Sequence, residues 1–169
     1  MKDFPFRLEP LNAEHDRGSF HCGEEVLDRY LQTQATQDVR RRIANCFVAI
    51  AKGSTRIAAY YTIAAASLPL VDLPRAEAKR LPRYPTLPAV RIGRLAVDRG
   101  FQGRGLGGAL LADAARRSVQ APPAVYALLV DAKNDTASAF YQRFGFRPLD
   151  SQPRTLFLPL ASAKDVFPE

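Results

Sequence analysis

An α/β fold, with helices packed on a mixed sheet, is what this chain of 169 residues predicts. Three observations point there. Short apolar runs that suit strands alternate with segments whose apolar residues recur at helical spacing. The run AVYALLVDA (124–132) is apolar throughout, as in a strand buried on both faces. The stretch RLAVDRGFQGRGLGGALL (94–111) passes from a strand into a helix through a cluster of glycines.

In chain order, a first strand is expected from Phe4 to Leu8. After the turn-rich NAEHDRGSFHCG, residues Val26, Leu27, Tyr30, Leu31 and Ala35 repeat at helical spacing. They predict a helix from about Glu24 to Asp38 that finishes in the basic run Arg40, Arg41, Arg42. CFVAIA (46–51) and RIAAYYTIAA (56–65) read as strands joined by a KGST hairpin turn, which lacks the residue order of a Walker loop. Residues 67–90 break the pattern with prolines at 69, 74, 82, 85 and 88. They read as an ordered insert, carrying a short helix RAEAKRL, within one domain spanning residues 1–169. VRIGRLAV is the next strand. The helix GLGGALLADAARRSVQ follows, with Leu106, Leu110, Leu111, Ala114 and Ala115 on its inner side and Pro122 and Pro123 stopping it. TASAFYQRF makes a short helix ended by Gly145, and TLFLPL (155–160) offers a last strand.

Composition narrows the function classes. An apolar fraction of 47% and a charged fraction of 24% are those of a folded chain. The opening MKDFPFRLEPL lacks the apolar core of a signal peptide, and IAAYYTIAAASLPLV is too short and interrupted to span a bilayer. A cytoplasmic protein without membrane attachment is the expectation. Cys22 and Cys46 form neither a C-x-x-C pair nor a ligand cluster, so they read as reduced thiols, and no metal site is expected. The formal charge of +7, mostly arginine, favours polyanionic partners such as nucleic acid or phosphorylated cofactors without choosing between them.

The glycine junction is more specific. Glycines between a strand and a helix let an anion reach backbone N–H groups, and the helix N-terminus adds partial positive charge. Gly103, Gly105 and Gly108 even match the G-x-G-x-x-G spacing of dinucleotide-binding proteins. Such a fingerprint, however, starts at the strand end near the beginning of a βαβαβ half. Here DRGFQ intervenes and too little chain follows for a second nucleotide half, although Asp131 sits at a plausible spacing for a ribose-binding acid. NAD or FAD is not the expected ligand.

QGRGLG (102–107), after a strand RLAVD, resembles the Q/R-x-x-G-x-G/A loop of the GNAT family of N-acetyltransferases. VDAKNDTASAFYQRFGF (130–146) resembles that family's N-x-x-A-x-x-F-Y-x-x-x-G-F segment. The likeness runs from the first strand to the last. It implies a mixed, mostly antiparallel central sheet flanked by helices, and acetyl-CoA as cofactor. The pyrophosphate would be held by Gln102, Gly103, Arg104, Gly105, Leu106, Gly107 and Gly108. Leu95, Ala96 and Val97 would offer main-chain groups to the pantetheine arm and acetyl carbonyl, and Asn134, Ala137, Phe140 and Tyr141 would line the cofactor. Phe144 and Phe146 read as core. Tyr141, beside Phe140 on a short helix, is not expected to face the core as well.

Acetyl transfer needs a neutral amine, donors for the oxyanion and a proton for the departing thiolate. A phenol near pKa ~10 is protonated at neutral pH, which makes Tyr141 the candidate general acid. No general base stands out. His15 and His21 suit surface or capping roles, and Asp98 and Asp131 could equally be turn groups. A lysine acceptor would need strong assistance, whereas an α-amine near ~8, and an aminoacyl ester more so, is often neutral already.

FHCGEEVLDRYLQTQATQDVRRRIANCFVA, AAYYTIAAASLPL and LPRYPTLPAVRIGRLAVD extend the likeness to the toxin branch of the family, whose members acetylate aminoacyl-tRNA and pair with a ribbon-helix-helix antitoxin. By that resemblance Arg40, Arg41, Arg42, Lys79, Arg80, Arg83, Arg91 and Arg94 are candidates to contact tRNA, each with a solvated or ion-paired surface role as its alternative. Homodimerisation is a further possibility. The competing readings are an N-acetyltransferase acting on a protein N-terminus or small amine, and a CoA-binding module without turnover.

Overall fold

The computed structural model describes residues 4–167. Seven strands form one sheet in the order β1-β2-β3-β4-β5-β7-β6. They are β1 (Phe6–Pro10), β2 (Asn45–Ala51), β3 (Ile57–Pro69), β4 (Thr86–Val97), β5 (Ala127–Asp131), β6 (Arg147–Pro148) and β7 (Thr155–Pro159). The pairings β1–β2, β2–β3, β5–β7 and β6–β7 are antiparallel, and β4–β5 is parallel. Parallel neighbours need a crossover. Helix α4 (Leu106–Gln120) supplies it.

By its contacts the chain divides into two compact units, residues 1–64 with 93–113, and residues 65–92 with 114–169. In the first, Phe20, Leu31, Val48, Ile50, Ile57 and Tyr60 form the core. Helices α1 (Glu25–Arg29) and α2 (Ala35–Arg40) contribute to it, joined by a π-helical turn over Tyr30–Gln34. The predicted helix is therefore present but not uniform, and Arg42 follows it at φ 60°. In the second unit, Leu68, Leu87, Ala127, Leu129 and Phe157 form the core, with helices α3 (Arg75–Ala78), α5 (Asp135–Arg143) and α6 (Ala163–Val166) around it.

The inward face predicted for α4 is the buried one, and Ala127–Val130 of β5 are buried on both faces, as a continuous apolar run requires. The insert is shorter than expected. β3 runs on to Pro69 and β4 starts at Thr86, so Pro69 and Pro88 lie in strands rather than in a 67–90 excursion. A proline at a strand end or at a non-donating position leaves a ladder intact. Sequence also missed the two-residue β6 and the four-residue α6, both too short to show a period.

Candidate active site

The strand-to-helix junction is tied down from several sides. Asp98, 2% exposed, follows β4 and accepts hydrogen bonds from the backbone N–H of Gly100 (2.8 Å) and His21 (2.9 Å) and from the Arg56 guanidinium (3.2 Å). The Gln102 amide donates to the carbonyls of Val97 (3.0 Å) and Cys22 (3.2 Å). Phe101 packs edge-on against Phe6, and the guanidinium groups of Arg56 and Arg104 lie 5.2 and 5.3 Å from its ring centre. Buried Leu106 anchors the start of α4 and has only its main chain to offer a ligand.

Between these anchors Gly103 and Gly105 adopt φ +80° and +79°, and a Cβ added to either would meet nothing within 4 Å. Their conformation favours glycine, and the space beside them is open. The helical ladder starts where Ala109 N–H donates to the Gly105 carbonyl (3.1 Å), so the N–H groups of Leu106, Gly107 and Gly108 precede it as first-turn donors. Left-handed glycines leading into the N-terminus of a 15-residue helix set backbone donors beside open space, an arrangement suited to an anion such as a pyrophosphate.

The parallel β4–β5 ladder runs from Ala89↔Ala127 to Ile92↔Val130, while β4 continues to Val97. Leu95, Ala96 and Val97 thus lie past the last rung. Ala96 turns into the first core beside Tyr30 and Tyr60, while Leu95 and Val97 are half-buried.

In the second unit Asn134 caps α5 by accepting from Ala137 N–H (2.8 Å), the geometry expected of an Ncap side chain. Phe140 meets Tyr141 and Phe144 at ring distances of 5.3 and 5.2 Å. Tyr141 is half-buried with its ring 5.7 Å from that of fully buried Phe146, so it leans on the core rather than away from it. Neither Phe140 nor Phe144 is fully buried, because α5 is short and packs by one narrow face. Burial raises the Tyr141 pKa above its ordinary 10.0, and the Asp131 carboxylate adds to the shift. The phenol therefore stays protonated through neutral pH.

The candidate bases are otherwise engaged. Buried His15 accepts from Asn12 N–H at Nδ1 (3.0 Å) and points Nε2 at Glu9 (2.9 Å), a bond that holds the Glu9 pKa below the usual carboxylate value. Exposed His21 lies 3.7 Å from Asp28. Asp131 pairs with Arg91 and accepts from Thr155 Oγ1 (2.7 Å).

Of the eight basic candidates, Arg40, Arg41, Arg42, Lys79, Arg80 and Arg83 are exposed. Arg91 is paired with Asp131, and Arg94 lies over the Tyr30 ring. Around that ring, buried Asp38 accepts from Tyr30 Oη (2.8 Å) and Gln34 Nε2 (3.0 Å), and those two bonds, the Gln34 one first, keep its pKa low. Sequence reasoning passed over this cluster, whose members are scattered over 65 positions of the chain (30–94). It also passed over Tyr84, an exposed aromatic next to Arg83 and Pro85, for which the signal was present.

Residues 21–156 match the model of the GNAT acetyltransferase domain. Over 159 residues the chain is 38% identical to the tRNA-acetylating toxin of Mycobacterium tuberculosis, covering 93% of each. The structure of AtaT complexed with acetyl-methionyl-tRNAfMet superposes with a TM-score of 0.87 at 31% identity, covering 96% of this chain and 99% of that one. A tyrosine-to-phenylalanine mutant of AtaT, bound to the C-terminus of the antitoxin AtaR and acetyl-CoA, gives 0.80 at 28% identity, covering 98% and 100%.

Proposed function

Because this chain belongs to the GNAT acetyltransferase family, in its toxin branch, we propose that it acetylates the α-amine of aminoacyl-tRNA and thereby blocks translation. The observation that carries the reading is the glycine junction, where two left-handed glycines in open space lead into the free N–H groups of α4. Similarity to a tRNA-acetylating toxin and to AtaT with its acetylated tRNA supports the choice of acceptor.

Acetyl-CoA, when bound, supplies an acetyl group already activated as a thioester. The main chain from Gln102 to Gly108 would hold the pyrophosphate, aided by the positive end of the α4 dipole. Main-chain groups of Leu95, Ala96 and Val97 would orient the pantetheine arm and acetyl carbonyl, and the family resemblance adds Asn134, Ala137 and Phe140 as cofactor contacts. Tyr141 keeps a proton on Oη at neutral pH and would be the group to supply it to a departing thiolate. A strong base is not required, since the amine of an aminoacyl ester is substantially neutral near pH 7. Arg40, Arg41, Arg42, Lys79, Arg80 and Arg83 attract the phosphates of the tRNA. Arg91 and Arg94 are the other two candidates, and they would meet the RNA from positions already beside Asp131 and Tyr30.

On this reading residues 1–169 act as one catalytic domain in the cytoplasm, as a monomer or homodimer, restrained by a ribbon-helix-helix antitoxin. Thioester consumption with charged tRNA, uncharged tRNA, free amino acids and peptides tests it. Turnover is expected with charged tRNA alone. Equal rates on free amino acids or on peptides would overturn it.

A further inference from the structure

The segment between β3 and β4 is anchored along its length. Leu70 N–H donates to the Pro85 carbonyl (3.0 Å), closing its two ends. Asp72 accepts from Ser151 Oγ (2.7 Å), and Glu77 pairs with Arg147 (2.6 Å). Leu73 is buried in the second core, and Leu81 packs against it. From this fixed base KRLPRYP (79–85) projects Lys79, Arg80, Arg83 and Tyr84 into solvent. Tyr84 is 62% exposed, and among the described residues it has no ring or hydrogen-bond partner. Prolines at 82 and 85 stiffen the loop that carries it.

An exposed aromatic on a rigid loop beside three cations fits one ligand chemistry, that of single-stranded nucleic acid. A base stacks on the ring while the cations follow the phosphates. Resting on the acceptor proposed above, we infer that Tyr84 is a stacking platform for an unpaired nucleotide in the single-stranded 3′ end of the aminoacyl-tRNA. That end is the part of the acceptor arm that offers unpaired bases. Arg80, Arg83 and Lys79 supply sequence-independent attraction, and Tyr84 supplies preference for an unpaired strand over a duplex.

The chain contains no tryptophan, so Tyr84→Trp introduces a single fluorescent reporter at the platform. Its emission is expected to be quenched saturably by an acceptor-stem hairpin with a 3′ overhang and little by the blunt hairpin. Quenching does not depend on turnover, so it tests the platform even if the acceptor is wrong. Tyr84→Ala should raise the KM for aminoacyl-tRNA by about 5- to 140-fold, the usual worth of one stacked base. Tyr84→Phe should restore it, since the ring and not the hydroxyl stacks. The dependence of KM on salt should be unchanged in both and shallower in Arg80→Ala and Arg83→Ala. An unchanged KM in Tyr84→Ala, equal quenching by overhang and blunt hairpins, or quenching by an antitoxin segment but not by RNA would each overturn the inference. If the unaltered enzyme leaves aminoacyl-tRNA unmodified while the overhang still quenches, the acceptor reading falls and the platform stands.

Discussion

The guanidinium of Arg94 lies 3.5 Å from the centre of the Tyr30 ring, and Tyr30 donates to buried Asp38 at 2.8 Å. A strand, the π-helical turn after α1 and helix α2 are thereby joined through one cation, one ring and one carboxylate. The charge of Arg94 offsets that of Asp38 in a place where neither is freely hydrated.

Arg94→Leu should therefore cost about 1–2 kcal/mol of stability, the range of a partly desolvated cation–π contact. Arg94→Lys should recover only part, because an ammonium cannot lie flat on a ring. Denaturant titration of both variants checks this, and no loss in Arg94→Leu would leave the arginine free for another role.

Behind the same ring, burial pushes the Cys46 thiol from 9.0 up to about 12. Burial also raises the phenols of Tyr30 and Tyr60. All three are neutral when protonated. The unfolded chain releases these protons at lower pH than the native one, so stability is retained below about pH 9 and falls as pH rises towards 12. Melting temperatures measured from pH 7 upward should show that decline, and Cys46→Ala should make it shallower.

At the glycine junction, acetyl-CoA should raise the melting temperature by mass action and NAD should not. Gly105→Asp should abolish the shift, since it sets a Cβ and a negative charge in the open space beside the loop and strains a φ of +79°. Equal stabilisation by NAD would remove the cofactor assignment.

Much of this was legible in the sequence. The loop and helix α4 announce themselves because glycine spacing and a 3.6-residue period are local signals, and every inward residue named for α4 is buried. What escaped is non-local. The proline-rich stretch hid the ends of β3 and β4, because Pro69 and Pro88 read as breakers although one closes β3 and the other lies in the first residues of β4. For Arg91 and Arg94 an ion-paired surface role stood beside tRNA contact, but nothing in a linear sequence names Asp131 and Tyr30 as the groups that lie against them. Tyr141 was expected to turn from the core. The structure sets its ring beside Phe146, and burial raises its pKa, so the hydroxyl keeps its proton at neutral pH.

Tyr141→Phe keeps that packing and removes only the hydroxyl. Turnover should fall by roughly 10²–10⁴-fold in kcat, with the KM for acetyl-CoA little changed. Asp98→Ala is the contrasting variant. It leaves two backbone N–H groups and Arg56 without their acceptor. It should cost about 1–3 kcal/mol of stability. Near-normal kcat in Tyr141→Phe would assign the proton to water or another group.

The central claim, that the acceptor is the α-amine of an amino acid esterified to tRNA, is tested most directly by locating the transferred group. The enzyme is incubated with isotopically labelled acetyl-CoA and charged tRNA, the RNA is digested by nuclease, and the 3′-terminal aminoacyl-adenosine is analysed by mass spectrometry. The account predicts one acetyl group on the amino nitrogen of that fragment, and none when the tRNA is uncharged. Label on protein lysines, on the nucleotides themselves, or on free amino acids at the same rate would contradict it.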